Sequence, residues 1–168
     1  MSDYPTTADC ERAFIGAVLH ADAQTAIEQI GTISASDFED PVLRVILEAA
    51  GAAARAGTAP DPVVTLDAVR NGAADLDANK LQLVSRALVK VYEECPHPGG
   101  IAKYAELVVA GALRRAVREV GQRLDQIADT SPLDDLRATV TEQFVSLFDL
   151  FARLDRIAPQ PAKSEAST

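Results

Sequence analysis

Few residues in this sequence have the types and spacing that chemistry needs. Cys95-Pro96-His97 brings a thiol and an imidazole close together, a pairing that can supply two ligands to a zinc ion. A tetrahedral site needs more. Only Cys10 and His20, from the far end of the chain, remain to complete it, and no paired-cysteine spacing occurs. No metal site is expected. Adjacent carboxylates stand at Glu93-Glu94 and at Asp134-Asp135. Neighbours on a helix point in different directions, so neither pair suits general acid–base work. Asp134-Asp135 instead falls in the first turn of an expected helix, where negative charge meets the helix dipole favourably. His20 falls at the end of another, where a partly charged imidazole is equally well placed.

No glycine-rich phosphate loop with its lysine occurs, which excludes nucleotide hydrolysis of that kind within these residues. Nothing marks a Ser-His-Asp or Cys-His arrangement. The expectation is a chain with no catalytic residues and no cofactor. Arg114, Arg115 and Arg118 form the one dense basic cluster, and the net charge is −9. Such a chain repels polyphosphate at long range, so the cluster reads as a solvated helix face and direct nucleic-acid binding is not expected.

The elements that must position any site are helices. The chain is 168 residues long, 48% hydrophobic and 24% charged, which suits one soluble domain with a real core. Aromatics are only 5% and tryptophan is missing, a balance that favours helix over strand. No segment alternates convincingly with period two. The start, Met1 to Asp9, is polar and acidic, so no signal peptide is expected, and no apolar run reaches membrane-span length. Two cysteines without secretory features fit a cytoplasmic protein with reduced thiols.

In order, a first helix is expected from Ala8 to His20, capped by Thr7, with Ala13, Phe14, Ala17 and Val18 inward. Gly16 inside it predicts close approach of another helix. Asp22 caps a short second helix to Ile30, with Ala26, Ile27 and Ile30 inward. Pro41 opens a third, capped by Ser36 or Asp40, that Gly57 stops. Asp61-Pro62 starts a fourth, carrying Val63, Leu66 and Val69, and Asn71-Gly72 reads as a turn. A fifth runs from Asp77 to Glu94 with Leu81, Val84, Leu88 and Val91 on one face.

The longest pattern comes last. Apolar residues recur at helical steps from Ile101 to Ile127, including Val117, and the helix is expected to reach about Asp129. After Ser131-Pro132 a further stripe follows: Leu133, Leu136, Val140, Phe144, Leu147, Phe151 and Leu154. The two read as a long antiparallel helical hairpin. The fold class is therefore all-α: a compact helical head over 9–100 and a hairpin over 101–157 of the same domain, between a disordered lead at 1–8 and a disordered tail at 158–168.

These residues resemble the amino-terminal domain of the DnaB-type replicative DNA helicases. Glu11, Gly16 and Leu19 match the family's opening pattern. Asp37, Phe38, Pro41, Arg44, Ile46, Glu48 and Ala49 match its Asp-Phe-x-x-Pro-x-x-Arg-x-Ile-x-Glu-Ala. Val64-Thr65-Leu66 matches its Val-Thr-Leu helix start. Pro96, Ile101, Tyr104 and Ala105 match the approach to the long helix, and Ala112, Leu113 and Arg115 its Ala-Leu-x-Arg. The sequence departs from the pattern at Leu43, where the family has His, and around Asp61, where the family's Asp is displaced. Asn79-Lys80-Leu81-Gln82-Leu83-Val84 replaces a Gly-Gly-x-x-Tyr-Leu stretch, and Val109-Ala110-Gly111 replaces a charged Arg-Glu-Lys. The family's motor domain does not follow within this sequence.

The resemblance implies a collar and interaction module without catalysis. In the family, hairpins pair between subunits, three such dimers form a collar, and the domain helps receive primase. A homodimer is therefore expected here, through Leu136, Val140, Phe144, Leu147, Phe148 and Phe151, because a hairpin apolar on more than one side wants a partner. A replicative helicase or primase is the expected further partner, with Val109, Ala110 and Gly111 as its candidate contact; the alternative is that the fifth helix covers that segment. The alternatives are an isolated piece of a full-length helicase and a helical scaffold that has kept the fold and lost replication. The start and the tail Pro161-Ala162-Lys163-Ser164 fit a complete small protein.

Overall fold

Short polar side chains decide where the helices begin. A computed structural model of the chain describes residues 6–72 and 77–158. Among them are seven α-helices, two 3-10 turns and no strand. The helices are α1 (Thr7–Leu19), α2 (Ala23–Ile30), α3 (Pro41–Arg55), α4 (Pro62–Gly72), α5 (Ala78–Glu93), α6 (Ile101–Ile127) and α7 (Leu133–Ile157). Asp22, Asp40, Asp61 and Asp77 each accept a backbone N–H from the first turn of the helix they precede, which satisfies a donor that the helix leaves open. Pro41 and Pro62 follow as first residues with the backbone angle already set. Thr6, rather than Thr7, caps α1, in a reciprocal capping box with Asp9. The leads and tails expected at 1–8 and 158–168 lie outside the described residues, except that Thr6 to Ala8 start α1 and Ala158 ends α7.

The chain forms two compact units, Met1–Val108 and Val109–Thr168. In the first, the head, α1 packs on α3 and α5, while α3 packs on α2, α4 and α5. Phe14, Ile15, Val18, Phe38 and Ile46 are fully buried. Ile101, Ala105 and Val108 of the first turns of α6 are buried as well. Gly16 is needed where α1 meets α5. A Cβ there would stand 2.4 Å from the Val91 carbonyl oxygen and 2.9 Å from Cys95 Cβ, so no side chain fits without moving backbone. Gly57, at φ +81°, ends α3 in the left-handed region.

In the second unit, the rest of α6 and all of α7 form the hairpin. Leu113, Val120 and Leu147 are its buried centre, with Ala116, Leu124, Leu150 and Leu154 packed around them. The joining segment, 128–132, is too short for anything but an antiparallel return.

Several apolar positions expected inside are outside. Ile27, Val63, Val117 and Leu133 are exposed. In α4 the inward face is Thr65 and Val69, one turn apart; Val63 lies roughly 200° around the helix from Thr65. Val117 is one residue off the line of Leu113, Ala116 and Val120. Leu133 is the first residue of α7, below the seam. Asn71 and Gly72, expected as a turn, form the last turn of α4.

Candidate functional site

The residues with chemical potential are dispersed and already engaged. His20 stacks on Tyr92, with ring centroids 3.9 Å apart, and its Nε2 donates to the Tyr92 carbonyl oxygen at 3.0 Å. The imidazole thus pins the end of α1 to the end of α5. Cys10 is buried in α1, and Cys95 lies half-buried just beyond α5. Burial pushes the Cys95 thiol up, against a smaller opposing pull from the His97 backbone N–H. A raised thiol is a poorer nucleophile and a poorer metal ligand at neutral pH. Among the described residues no group of three His, Cys, Asp or Glu side chains stands where it could hold a metal ion. Asp134 and Asp135 lie exposed in the first turn of α7, as Glu93 does at the end of α5.

The motif residues prove to be architectural. Glu11 is fully buried on α1, and its carboxylate accepts the backbone N–H of Glu39 at 3.0 Å and of Asp40 at 3.4 Å. It thereby ties α1 to the segment that launches α3. Asp37 accepts the Ser34 N–H at 2.7 Å and closes the 3-10 turn Ala35–Asp37. Phe38 drops into the core beside Phe14, ring centroids 6.2 Å apart. Arg44 reaches back from α3 and donates through Nε, at 2.8 Å, and Nη2 to the Phe38 carbonyl oxygen. Thr65 is buried and donates to the Pro60 carbonyl at 3.1 Å. Leu43, where the resemblance led to His, is buried, so an apolar residue there serves the core. Sequence spacing alone did not reveal that Glu11 would reach across to 39–40.

What remains outward is hydrophobic. On α7, Leu147 is 8% exposed in the seam with α6, and Leu136 and Val140 are half-buried. Phe144, Phe148 and Phe151 are 46%, 66% and 46% exposed. These rings lie within roughly a 60° arc of one helix face. Phe144 and Phe148 touch in a tilted pair at 6.5 Å. Val145, which the sequence reading did not single out, is 57% exposed beside them; its step of three to Phe148 was the available signal. The six residues expected at a dimer interface thus divide. Leu147 belongs to the hairpin's own core, and the phenylalanines face solvent. The other expected contact divides too: Val109 and Gly111 are buried, and only Ala110 is half-exposed.

Comparisons with known proteins agree with this architecture. A family model described as the DnaB-like helicase N terminal domain matches residues 3–110. No curated protein sequence matches the chain. Among solved structures, the crystal structure of the N-terminal domain of DnaB helicase from Mycobacterium tuberculosis is similar in fold, with a TM-score of 0.67 and 19% identity. The similarity covers 86% of this chain and 98% of that one. No described helix is long and apolar enough to cross a membrane.

Proposed function

The chain belongs to the DnaB-like helicase N-terminal domain family, and from that premise we propose that it is a non-catalytic interaction module of DNA replication. It pairs with a second copy through α7 and presents the paired form to a replicative helicase or primase in the cytoplasm. The observation that carries this reading is the outward row of Phe144, Phe148 and Phe151, on a helix whose inner seam is already filled by Leu147, Leu150 and Leu154. Covering one such ring is worth roughly 1.5–3 kcal/mol, and three clustered aromatics have the makings of an interface hot spot. Pairing of this kind is isologous: the same face on both copies. Arg114 and Arg118 are exposed on α6, but in a chain of net charge −9 they do not make the module a DNA grip.

Sedimentation of the wild-type chain against Phe148→Asp tests the pairing. The partner is tested by retention of helicase or primase from the native cell extract, repeated with Ala110→Glu. Retention by the wild type and loss in a normally folded Ala110→Glu variant supports the long helix as the contact. Equal retention by both supports the partner and moves the contact elsewhere. Retention of neither component by the wild type refutes the replication reading.

A further inference from the structure

A second unfilled surface lies wholly within the head. α4 and α5 pack side by side and leave an open groove of about 370 Å³ between them. Val63, Leu66, Leu88 and Val89 supply its apolar walls, with Asp67 and Arg70 among the other lining residues. Exposed large hydrophobics are rare elsewhere in the described head. Val63, Leu83 and Val89 all belong to α4 or α5, and Ile27 is the other one. Two of those four, Val63 and Val89, line the groove itself, which marks a contact site rather than scattered exposure.

The charge around that groove is opposite in sign to that of the chain. From Ala78 to Tyr92, α5 carries Lys80, Arg86 and Lys90 and no acidic residue, in a protein of net charge −9. Arg86 and Lys90 flank Val89 in sequence and lie on the solvent side of it, each exposed. Arg70 stands on the opposite wall. Among the described residues none of these three cations has an ion-pair partner. The acid in the lining, Asp67, accepts a hydrogen bond from Asn71 Nδ2 at 3.0 Å and keeps its charge, one acid against the three cations. Glu93, at the end of α5, is the nearest other acid along that helix.

We propose that the α4–α5 groove docks one acidic amphipathic helix of a partner protein. Its apolar stripe would lie on Val63, Leu66, Leu88 and Val89, and its acidic flanks on Arg70, Arg86 and Lys90. An apolar groove bordered by cations is the complement of such a helix. The lining runs from Pro62 to Arg70 on α4 and from Ser85 to Val89 on α5, so the groove seats about two turns of such a helix, roughly 12 Å. A second copy of this chain is a poorer occupant, because its outward apolar helix, α7, carries both signs of charge rather than acidic flanks. A nucleic-acid strand is poorer still, since the groove walls are aliphatic and hold no aromatic ring on which a base could stack. The proposal stands independently of pairing through α7.

The test is selection of displayed peptides on the immobilised full chain. The library holds peptides of about 16 residues with leucine fixed at helical i, i+3, i+7 and i+10 spacing and every other position random. The expected result is enrichment of peptides with acidic flanks. A representative peptide should then bind at least about tenfold more weakly to Val89→Asp and to Arg86→Glu, and more weakly in higher salt. Both residues are exposed, so both variants should keep the wild-type circular dichroism spectrum. If Val89→Asp does not, Val63→Asp replaces it, at a position 77% exposed. No enrichment, enrichment of neutral or basic flanks, or binding that survives these substitutions overturns the proposal. So does loss of self-association in Val89→Asp, which would give the groove to a second copy. Binding of a short single-stranded DNA that is lost in Arg86→Glu would give it to nucleic acid and overturn the proposal likewise.

Discussion

The five phenylalanines of the chain meet opposite fates in its two units. Phe14 and Phe38 of the head are fully buried against each other, whereas Phe144, Phe148 and Phe151 of the hairpin are half-exposed or more. The residue type is the same and the surroundings differ. The head packs α2, α4 and α5 around α1 and α3 and closes its loops with buried polar groups such as Glu11 and Asp37. The hairpin has two helices, and two helices bury one stripe each. Its stripe is filled by Leu113, Val120 and Leu147, so aromatic rings elsewhere on α7 have nothing within the hairpin to cover them. One unit covers its aromatic rings by itself, and the other leaves three of them exposed.

The largest contrast should come from truncating one ring in each unit. Phe38→Ala should cost the head about 4 kcal/mol, read as a large fall in the denaturant midpoint. Phe148→Ala should change the unfolding of the dissociated chain by less than about 0.5 kcal/mol, as an exposed position does. Equal losses would erase the distinction between the units.

Gly16→Ala should come next. With 2.4 Å between a Cβ and the Val91 carbonyl oxygen, α1 and α5 must separate, at roughly 3 kcal/mol. Gly121→Ala is the counterpart in the hairpin, where a Cβ meets nothing within 4 Å. It should stabilise by up to about 1 kcal/mol through helix propensity. Thermal unfolding of the two variants sharpens the comparison by sign.

A smaller effect should appear in the self-association itself. Phe148→Ala should weaken pairing by about 2 kcal/mol, roughly thirtyfold in dissociation constant, by sedimentation equilibrium. The smallest expected effect is in acid. The Asp9 carboxyl is held below its ordinary range by hydrogen bonds from Thr6 and by Arg12, and that of Asp22 by the N–H and hydroxyl of Thr25. A carboxylate lowered in the folded state adds stability above the unfolded value, near 3.8, and loses it as pH falls through the folded value. Asp22→Asn should therefore flatten the stability profile of the chain below about pH 4 and leave the association constant unchanged.

The helices were legible in the sequence because their signals are local. Asp-Pro at 40–41 and 61–62, Asp22 and Gly57 act within a turn of themselves, and α2, α3 and α4 begin where those signals put them. Gly16 was legible as a close approach, though its partner, Val91, was not. Individual faces were less legible. Val63, Val117 and Leu133 fit a helical stripe by spacing, yet the line that packs is set by the neighbouring helix, which spacing does not name. The polar motif was visible as a motif but not as a tie. Nothing local says that Glu11 will accept N–H groups from residues 39 and 40. For the candidate interface, the period picked out the phenylalanines but ran them together with Leu147, because steps of three and four place both near one another on α7. Only the seam with α6 separates them.

The pairing of α7 is tested most directly by sedimentation velocity on the wild-type chain and Phe148→Asp at tens of micromolar, with circular dichroism on both. The account predicts a dimer for the wild type and a monomer of unchanged helicity for the variant. A wild-type chain that sediments as a monomer, or a Phe148→Asp chain that stays dimeric, would contradict it.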